Sequence, residues 1–218
     1  MRWAIVFFVG VTVSTLLVGF NFARTKHRSV RYFGWGLGAT GIAFGFWTIG
    51  RINNPKEGDD LELWVTIGVF FLLLGLLLFL LSWTTPLRQQ VRNLVLVGGL
   101  LYVVALIALR FMYPSEPFID EDGVLFFNPH GSVGALEVGA VSAAFLPAIF
   151  EIGRRLRALD ALVAKVAFTT VLMSGIILIA SIDKVMITIA SWVMAAALLA
   201  LVGTFVVRQP GAWLQATH

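Results

Sequence analysis

Seven apolar stretches of about twenty residues dominate this chain of 218 residues, and charges are absent from the middle of almost every stretch. About twenty apolar residues in an α-helix, at 1.5 Å per residue, cross the hydrocarbon core of a bilayer. We therefore predict an all-α integral membrane protein that forms a seven-helix bundle as a single transmembrane domain over 1–218. The predicted transmembrane helices cover 3–23, 30–50, 63–83, 94–113, 133–152, 161–182 and 185–207.

The composition excludes several other classes of protein. Charged residues make up only 13% of the chain, whereas a soluble domain carries about 25%, so a water-soluble fold is not expected. The chain has no cysteine, which excludes disulfides, thiolate metal sites and cysteine nucleophiles. The basic residues cluster beside the apolar stretches, as the positive-inside rule requires, so the high pI of about 9.9 does not indicate nucleic acid.

The distribution of Lys and Arg predicts the orientation of the chain. If the N-terminus lies outside, the outer side holds five of them and the inner side holds the rest. The predicted inner cations are Arg24, Lys26, Arg28, Arg31, Arg88, Arg92, Arg154, Arg155, Arg157, Lys165 and Arg208. We therefore predict an N-out, C-in protein of the cell (plasma) membrane, with its C-terminus cytoplasmic.

Two connections are predicted to be more than turns. In the outer segment 114–132, Asp122-Gly123 stands between apolar residues, which is a hairpin signal and predicts a short β-hairpin or flap. The alternative is a loop held against the headgroups by its aromatic side chains. The inner segment 151–160 is predicted to extend helix five; its Arg154, Arg155 and Arg157 form either an orientation signal that attracts anionic lipid or a cytoplasmic docking site.

Helix two contains the strongest packing pattern. Gly34, Gly38, Gly41 and Gly45 follow a helical spacing that brings all four to one face. Small residues allow close approach of helix backbones in lipid, so this face is predicted to pack within the bundle, or else to form a homo-oligomer seam or a groove for a partner helix. The aromatic residues Phe44 and Phe46 are expected on the opposite, lipid-facing side.

The ionisable residues of the predicted spans are few and lie near the helix ends. Glu137 is the deepest carboxylate and needs a partner in the membrane, for which Arg110 and Arg51 are the candidates. One interpretation is an interhelical ion pair that fixes the outer ends of the helices. The other is a small outward-facing ligand site under the flap, with Trp47 and Trp192 as possible lining residues.

Enzymatic activity is not expected from these residues. The three histidines, His27, His130 and His218, all lie outside the predicted spans, so a haem between helices is excluded. No combination of His, Asp and Glu in the spans has the arrangement of a catalytic zinc site, and no protease motif is present. The sequence therefore predicts no catalytic residues, no metal and no cofactor.

Three functions remain open. Helix two, from Arg31-Tyr32-Phe33 to Trp47-Thr48-Ile49-Gly50, resembles the second helix of the seven-span input domains of bacterial sensor kinases over about twenty residues. This resemblance implies a sensor-like or partner-binding module, and we place that function first. A small transporter or channel for a neutral solute is the second, served by span hydroxyls such as those of Thr12, Thr15 and Thr170. A structural subunit of a larger membrane complex is the third. The expected partners are membrane lipids and a protein partner or second copy.

Overall fold

A computed structural model describes residues 2–53, 59–85, 87–119, 125–127, 130–140 and 184–207, and the single positions 143, 166, 170, 173 and 174. This part of the chain is mostly helical. The elements are α1 (Arg2–Ala23), α2 (Arg28–Asn53), α3 (Asp59–Thr84), α4 (Gln89–Met112), β1 (Phe118–Ile119), β2 (Leu125–Phe126), α5 (131–140) and α6 (Lys184–Val207).

The helix bounds agree with the prediction to within a few residues for α1 to α4 and α6. The predicted fifth span is described only in its first part, which is helical. Most of the predicted sixth span, and the segment 151–160 with Arg154, Arg155 and Arg157, lie outside the described residues. The chain divides into two compact units, Met1–Ala144 and Phe145–His218.

Within the described part of the chain, two helices are long and apolar enough to cross a membrane, Leu61–Ser82 within α3 and Gln89–Met112. The described apolar parts of α1 and α6 are shorter, at Phe8–Ala23 and Thr188–Ala200. Helix α2 is rich in glycine and carries arginines at both ends, which lowers its apolar content. The described helices thus establish an all-α chain with two candidate spans, and they do not establish the predicted bundle of seven.

The predicted glycine face of α2 packs against α1. A Cβ atom at Gly34 would lie against the backbone of α1 at Gly19 and Phe22, each 2.7 Å away. Gly41 faces the side chain of Thr15, and Gly45 lies at an ordinary contact distance of 3.5 Å from Thr12 Cγ2. Gly38 is the partner of Gly19, whose own Cβ would lie 2.7 Å from the Gly38 nitrogen. This face is therefore used inside the unit, which corrects the alternative of a free seam for a second copy or partner helix.

A second small-residue face of α2 packs against α3 and was not predicted. Gly36 and Gly75 approach closely, with 3.1 Å between the position of a Gly36 Cβ and the Gly75 carbonyl oxygen. Because α2 is covered by α1 on one side and α3 on the other, some of its aromatic residues lie between helices. Phe44 is buried and stacks on Phe8, which corrects the prediction that this ring faces lipid. Phe46 is half-buried and stacks on Phe71.

Reciprocal serine hydrogen bonds join the start of α2 to the end of α3. The Ser29 hydroxyl donates to the Ser82 carbonyl oxygen at 3.0 Å, and the Ser82 hydroxyl donates to the Ser29 carbonyl oxygen at 2.8 Å. The two helices are therefore antiparallel. The α1–α2 turn and the α3–α4 turn consequently lie at one end of the unit, here called the turn end.

We expect Ser82→Ala to lower the free energy of unfolding by about 0.5–1.5 kcal/mol, because one interhelical hydrogen bond is lost. Reversible unfolding in mixed micelles measures this change. The Ser29→Ala variant and the double variant complete a mutant cycle. If the two single effects add without coupling, the hydroxyls do not act as a pair.

Helix α4 packs against α3 along one narrow seam and exposes the rest of its surface. Val103, Leu106 and Arg110 are buried, and a Cβ at Gly99 would meet the side chain of Leu77. The remaining apolar side chains are largely exposed, with Leu94 at 73%. Exposed apolar patches larger than a few hundred Å² are rare on soluble monomers, so this surface suits a lipid or protein environment.

The predicted outer hairpin is confirmed in its two strands. Strands β1 and β2 are antiparallel, with Phe118 opposite Phe126 and Ile119 opposite Leu125. The rings of Phe118 and Phe126 stack with their centroids 4.8 Å apart, and Leu125 and Phe126 are buried. The predicted Asp122-Gly123 turn lies outside the described residues.

Candidate functional site

Five elements of the first unit converge at the end opposite the turn end. The antiparallel arrangement brings together the end of α2, the start of α3 and the end of α4, and the β1–β2 hairpin and α5 follow α4 directly. This region is here called the hairpin end. Its polar side chains are arranged around one guanidinium group.

Arg110, in the last turn of α4, is only 1% exposed and is the largest of the fully buried side chains. Its Nη1 donates to Glu137 Oε1 of α5 at 2.5 Å, and its Nη2 lies 3.4 Å from Glu62 Oε1 of α3. Nη2 also donates to the Ser115 hydroxyl at 2.8 Å, and Nε donates to the Thr66 hydroxyl at 3.2 Å. A single guanidinium therefore joins α4 to two other helices, α3 and α5, and to the segment before the hairpin.

The two hydroxyl groups each relay a hydrogen bond from Arg110 to Glu62. Thr66 accepts from Arg110 and donates to Glu62 Oε1 at 3.1 Å. Ser115 accepts from Arg110 and donates to Glu62 Oε2, and its backbone nitrogen lies 3.4 Å from Glu62 Oε1. Each hydroxyl thus accepts one hydrogen bond and uses its single donor, so no hydroxyl hydrogen is left without a partner. The network is internally consistent and orients the carboxylate of Glu62.

The charge of this cluster is not balanced. One guanidinium faces two carboxylates, so the formal charge is −1 when both are ionised. The side chains of Glu62 and Glu137 are each 18% exposed, whereas Arg110 is enclosed. Glu137 uses Oε1 for Arg110, and among the described residues no hydrogen bond to its Oε2 occurs. The cluster therefore carries an excess of negative charge on two partly exposed carboxylate side chains.

The predicted partner of Glu137 is identified by this geometry. Of the two candidates, Arg110 forms the ion pair. Arg51 instead places its guanidinium carbon 3.8 Å from the centre of the Phe8 ring, and its side chain is buried. A cation over an aromatic face is stabilised by the ring quadrupole, so Arg51 is fixed against α1.

The two predicted tryptophans lie in different units. Trp47 is 8% exposed, contacts the Phe127 ring at 4.9 Å and lies 3.3 Å from the Val65 carbonyl oxygen through Nε1. It packs against Gly68, where any side chain would collide with the indole. Trp47 is thus a core residue that supports the segment after β2, rather than the lining of an open cavity. Trp192 lies on α6 in the second unit and is 38% exposed.

Glu62, Thr66 and Ser115 were missed by the sequence reading. None of the sequence patterns described above assigns a role to any of the three. A signal did exist, since antiparallel helices bring the start of α3 level with the end of α4. Glu62 and Thr66 are four residues apart on one face of α3, opposite the only arginine of α4's last turn.

The hydroxyls proposed for a solute path bond to their own helices. Thr12 donates to Phe8, Thr15 to Val11 and Thr170 to Val166, at 2.7–2.9 Å between hydroxyl and carbonyl oxygens. Such bonds occupy the donor of each side chain. These residues provide no observation in favour of a transport path.

Among the described residues, no group of three or more His, Cys, Asp or Glu side chains is arranged to hold a metal ion. No protein-family model matches the chain, and no curated protein or solved structure shows significant similarity to it.

Proposed function

We propose that the chain is an integral membrane protein of seven spans, with the hairpin end outside and the turn end in the cytoplasm. Helices α3 and α4 support insertion by their length and apolar composition, and the exposed apolar surface of α4 supports it by its chemistry. The excess of Lys and Arg on the proposed inner side supports the orientation.

Within this membrane protein, we propose a sensor-like or partner-binding function that resides at the hairpin end. The observation that carries the proposal is the enclosed Arg110 with two partly exposed carboxylates. Ionisable groups at membrane depth are costly and usually serve a function. The ligand or partner group that fits this site donates hydrogen bonds or carries positive charge, because the partly exposed side chains of the cluster are carboxylates.

The site is also connected to other elements of the first unit by hydrogen bonds. Arg110 contacts α3 and α5 together with Ser115, and Ser115 leads directly into β1. A ligand that competes for Glu137 weakens its hold on Arg110 and removes one contact between α4 and α5, while the hydrogen bond from the Tyr102 hydroxyl to the Leu136 carbonyl oxygen remains. The contacts of Arg110 would thus differ between the ligand-free and the ligand-bound state, and such a difference allows a ligand to shift a conformational equilibrium. The basic segment with Arg154, Arg155 and Arg157 is the proposed cytoplasmic docking site for a separate output protein.

Purification in nanodiscs from the native membrane, followed by mass spectrometry of bound proteins and small molecules, tests this function. We expect a stoichiometric partner or ligand on the wild-type chain and its loss from the Glu137→Gln variant. Glu116→Gln, at an exposed carboxylate of the segment between α4 and β1, is the control and keeps the bound molecule. If both variants retained the bound molecule equally, binding would not depend on the Arg110 cluster, and the proposal would be contradicted.

A further inference from the structure

The turn end of the first unit carries a cationic surface without acidic residues. Arg24 and Lys26 lie in the α1–α2 turn, Arg28 and Arg31 in the first turns of α2, and Arg88 before α4, and all five are exposed. Residues 1–56 and 63–115 of the sequence contain no Asp or Glu, so the helices that form this end supply no carboxylate to it.

The Ser29–Ser82 hydrogen bonds gather these cations into one surface. They join the start of α2 to the end of α3 and thereby bring the two basic turns to the same end of the unit. Like charges brought together repel one another and favour the binding of an anion. The surface therefore favours a negatively charged partner.

Two of the arginines are held by aromatic rings. The guanidinium carbon of Arg24 lies 3.9 Å from the centre of the Phe20 ring. That of Arg28 lies 5.7 Å from the Tyr32 ring, and its Nε donates to the Tyr32 hydroxyl at 3.3 Å. These contacts restrict the arginine side chains, so less conformational entropy is lost when they bind.

Exposed apolar side chains adjoin the cations. Phe20 is 54% exposed at the end of α1, and Trp35 is 56% exposed in the second turn of α2. Aromatic rings beside Lys and Arg are typical of the membrane–water interface, where rings meet acyl chains and cations meet phosphates. An acidic protein segment would match only the charge, whereas a phospholipid matches both features.

We propose that the turn end binds anionic phospholipid headgroups, with Arg24, Arg28 and Arg31 contacting the phosphate. This inference rests on the membrane insertion proposed above. Anionic lipids are concentrated in the cytoplasmic leaflet, and basic residues near that surface are attracted to them. The bound lipid holds the turn between α1 and α2 against the membrane.

Thermal unfolding in a neutral detergent tests the proposal, with dioctanoyl phosphatidylglycerol, dioctanoyl phosphatidylcholine, inorganic phosphate and polyglutamate as separate probes. Phosphatidylglycerol is expected to raise the Tm in a saturable, salt-sensitive manner, and the other three are not. An equal rise with phosphatidylcholine or phosphate would overturn the proposal, as would a rise with polyglutamate alone.

The triple variant Arg24→Gln/Arg28→Gln/Arg31→Gln is expected to bind phosphatidylglycerol on the order of 100-fold more weakly, since each charge near a membrane surface contributes about a factor of five. The control Arg2→Gln/Lys56→Gln/Lys184→Gln removes the same number of charges at positions that the proposed orientation assigns to the outer side, and it is expected to keep the affinity. The matching Arg→Lys triple retains the charges and is expected to lose less than tenfold. Wild-type affinity in the Gln variant, or an equal loss in the Lys variant, would overturn the assignment.

Extraction of cell membranes with alkaline carbonate tests membrane insertion independently of lipid binding. A chain that stays in the membrane but shows no preference for phosphatidylglycerol overturns only the lipid surface. A chain that carbonate releases overturns the proposed insertion, whatever its lipid binding.

Discussion

Arg110→Met is expected to destabilise the first unit by about 3–5 kcal/mol, since removing one member of a buried ionic cluster leaves the remaining charges uncompensated. Glu62 and Glu137 would then face each other without the guanidinium that both contact. Ser115 and Thr66 would also lose their donor. Denaturant unfolding in mixed micelles, with the wild type as reference, measures the loss.

The triple variant Arg110→Met/Glu62→Gln/Glu137→Gln is the control for this expectation. It removes all three charges at once, and it should recover most of the stability because no uncompensated charge is left. Glu137→Ala should cost less than Arg110→Met, since Arg110 keeps Glu62. If Arg110→Met unfolds at the same denaturant concentration as the wild type, the cluster does not hold the hairpin end together.

Gly34→Ala is expected to destabilise the α1–α2 pair by about 1–3 kcal/mol, as overpacking of a tight interface does. The added methyl group would meet backbone atoms of α1 at Gly19, Phe22 and Ala23, which cannot turn aside as a side chain can. The loss should appear although alanine favours a helix over glycine by about 1 kcal/mol.

Gly38→Ala is the matched control, one helical turn further along the same face of α2. A Cβ at Gly38 has no heavy atom within 4 Å, so the variant should be neutral or slightly more stable. Helix propensity contributes equally to both variants, and their difference reports the helix contact alone. Equal stabilities of the two variants would show that α1 does not approach Gly34 as closely as described.

The sequence predicted the elements better than their contacts. Apolar stretches bounded by charges located α1 to α4, and the apolar pairs around Asp122-Gly123 located both strands. Glu137 and Arg110 were recognised because a carboxylate at membrane depth needs a cation. The predicted use of the glycine face for packing was also correct.

The sequence could not show which helix covers which face. Gly36 and Gly68 belong to no recognisable sequence pattern. The lack of a side chain at Gly68 nevertheless leaves space for the indole of Trp47, and the lack of one at Gly36 allows α3 to pack closely. That close packing encloses Trp47, which the sequence offered as a possible lining residue of a ligand site. The role of Glu62 depends on the level at which α3 begins beside α4. Such relations arise from the register between helices, which no local pattern encodes.

The orientation of the first unit in a membrane tests the central claim most directly. The chain has no cysteine, so single variants report accessibility without background. Glu116→Cys lies before the hairpin and Lys26→Cys lies in the α1–α2 turn, and both positions are exposed. We expect a membrane-impermeant maleimide to label Glu116→Cys on intact cells and Lys26→Cys only after permeabilisation. Labelling of both positions on intact cells, or of Lys26→Cys alone, would contradict an outward hairpin end and a cytoplasmic turn end.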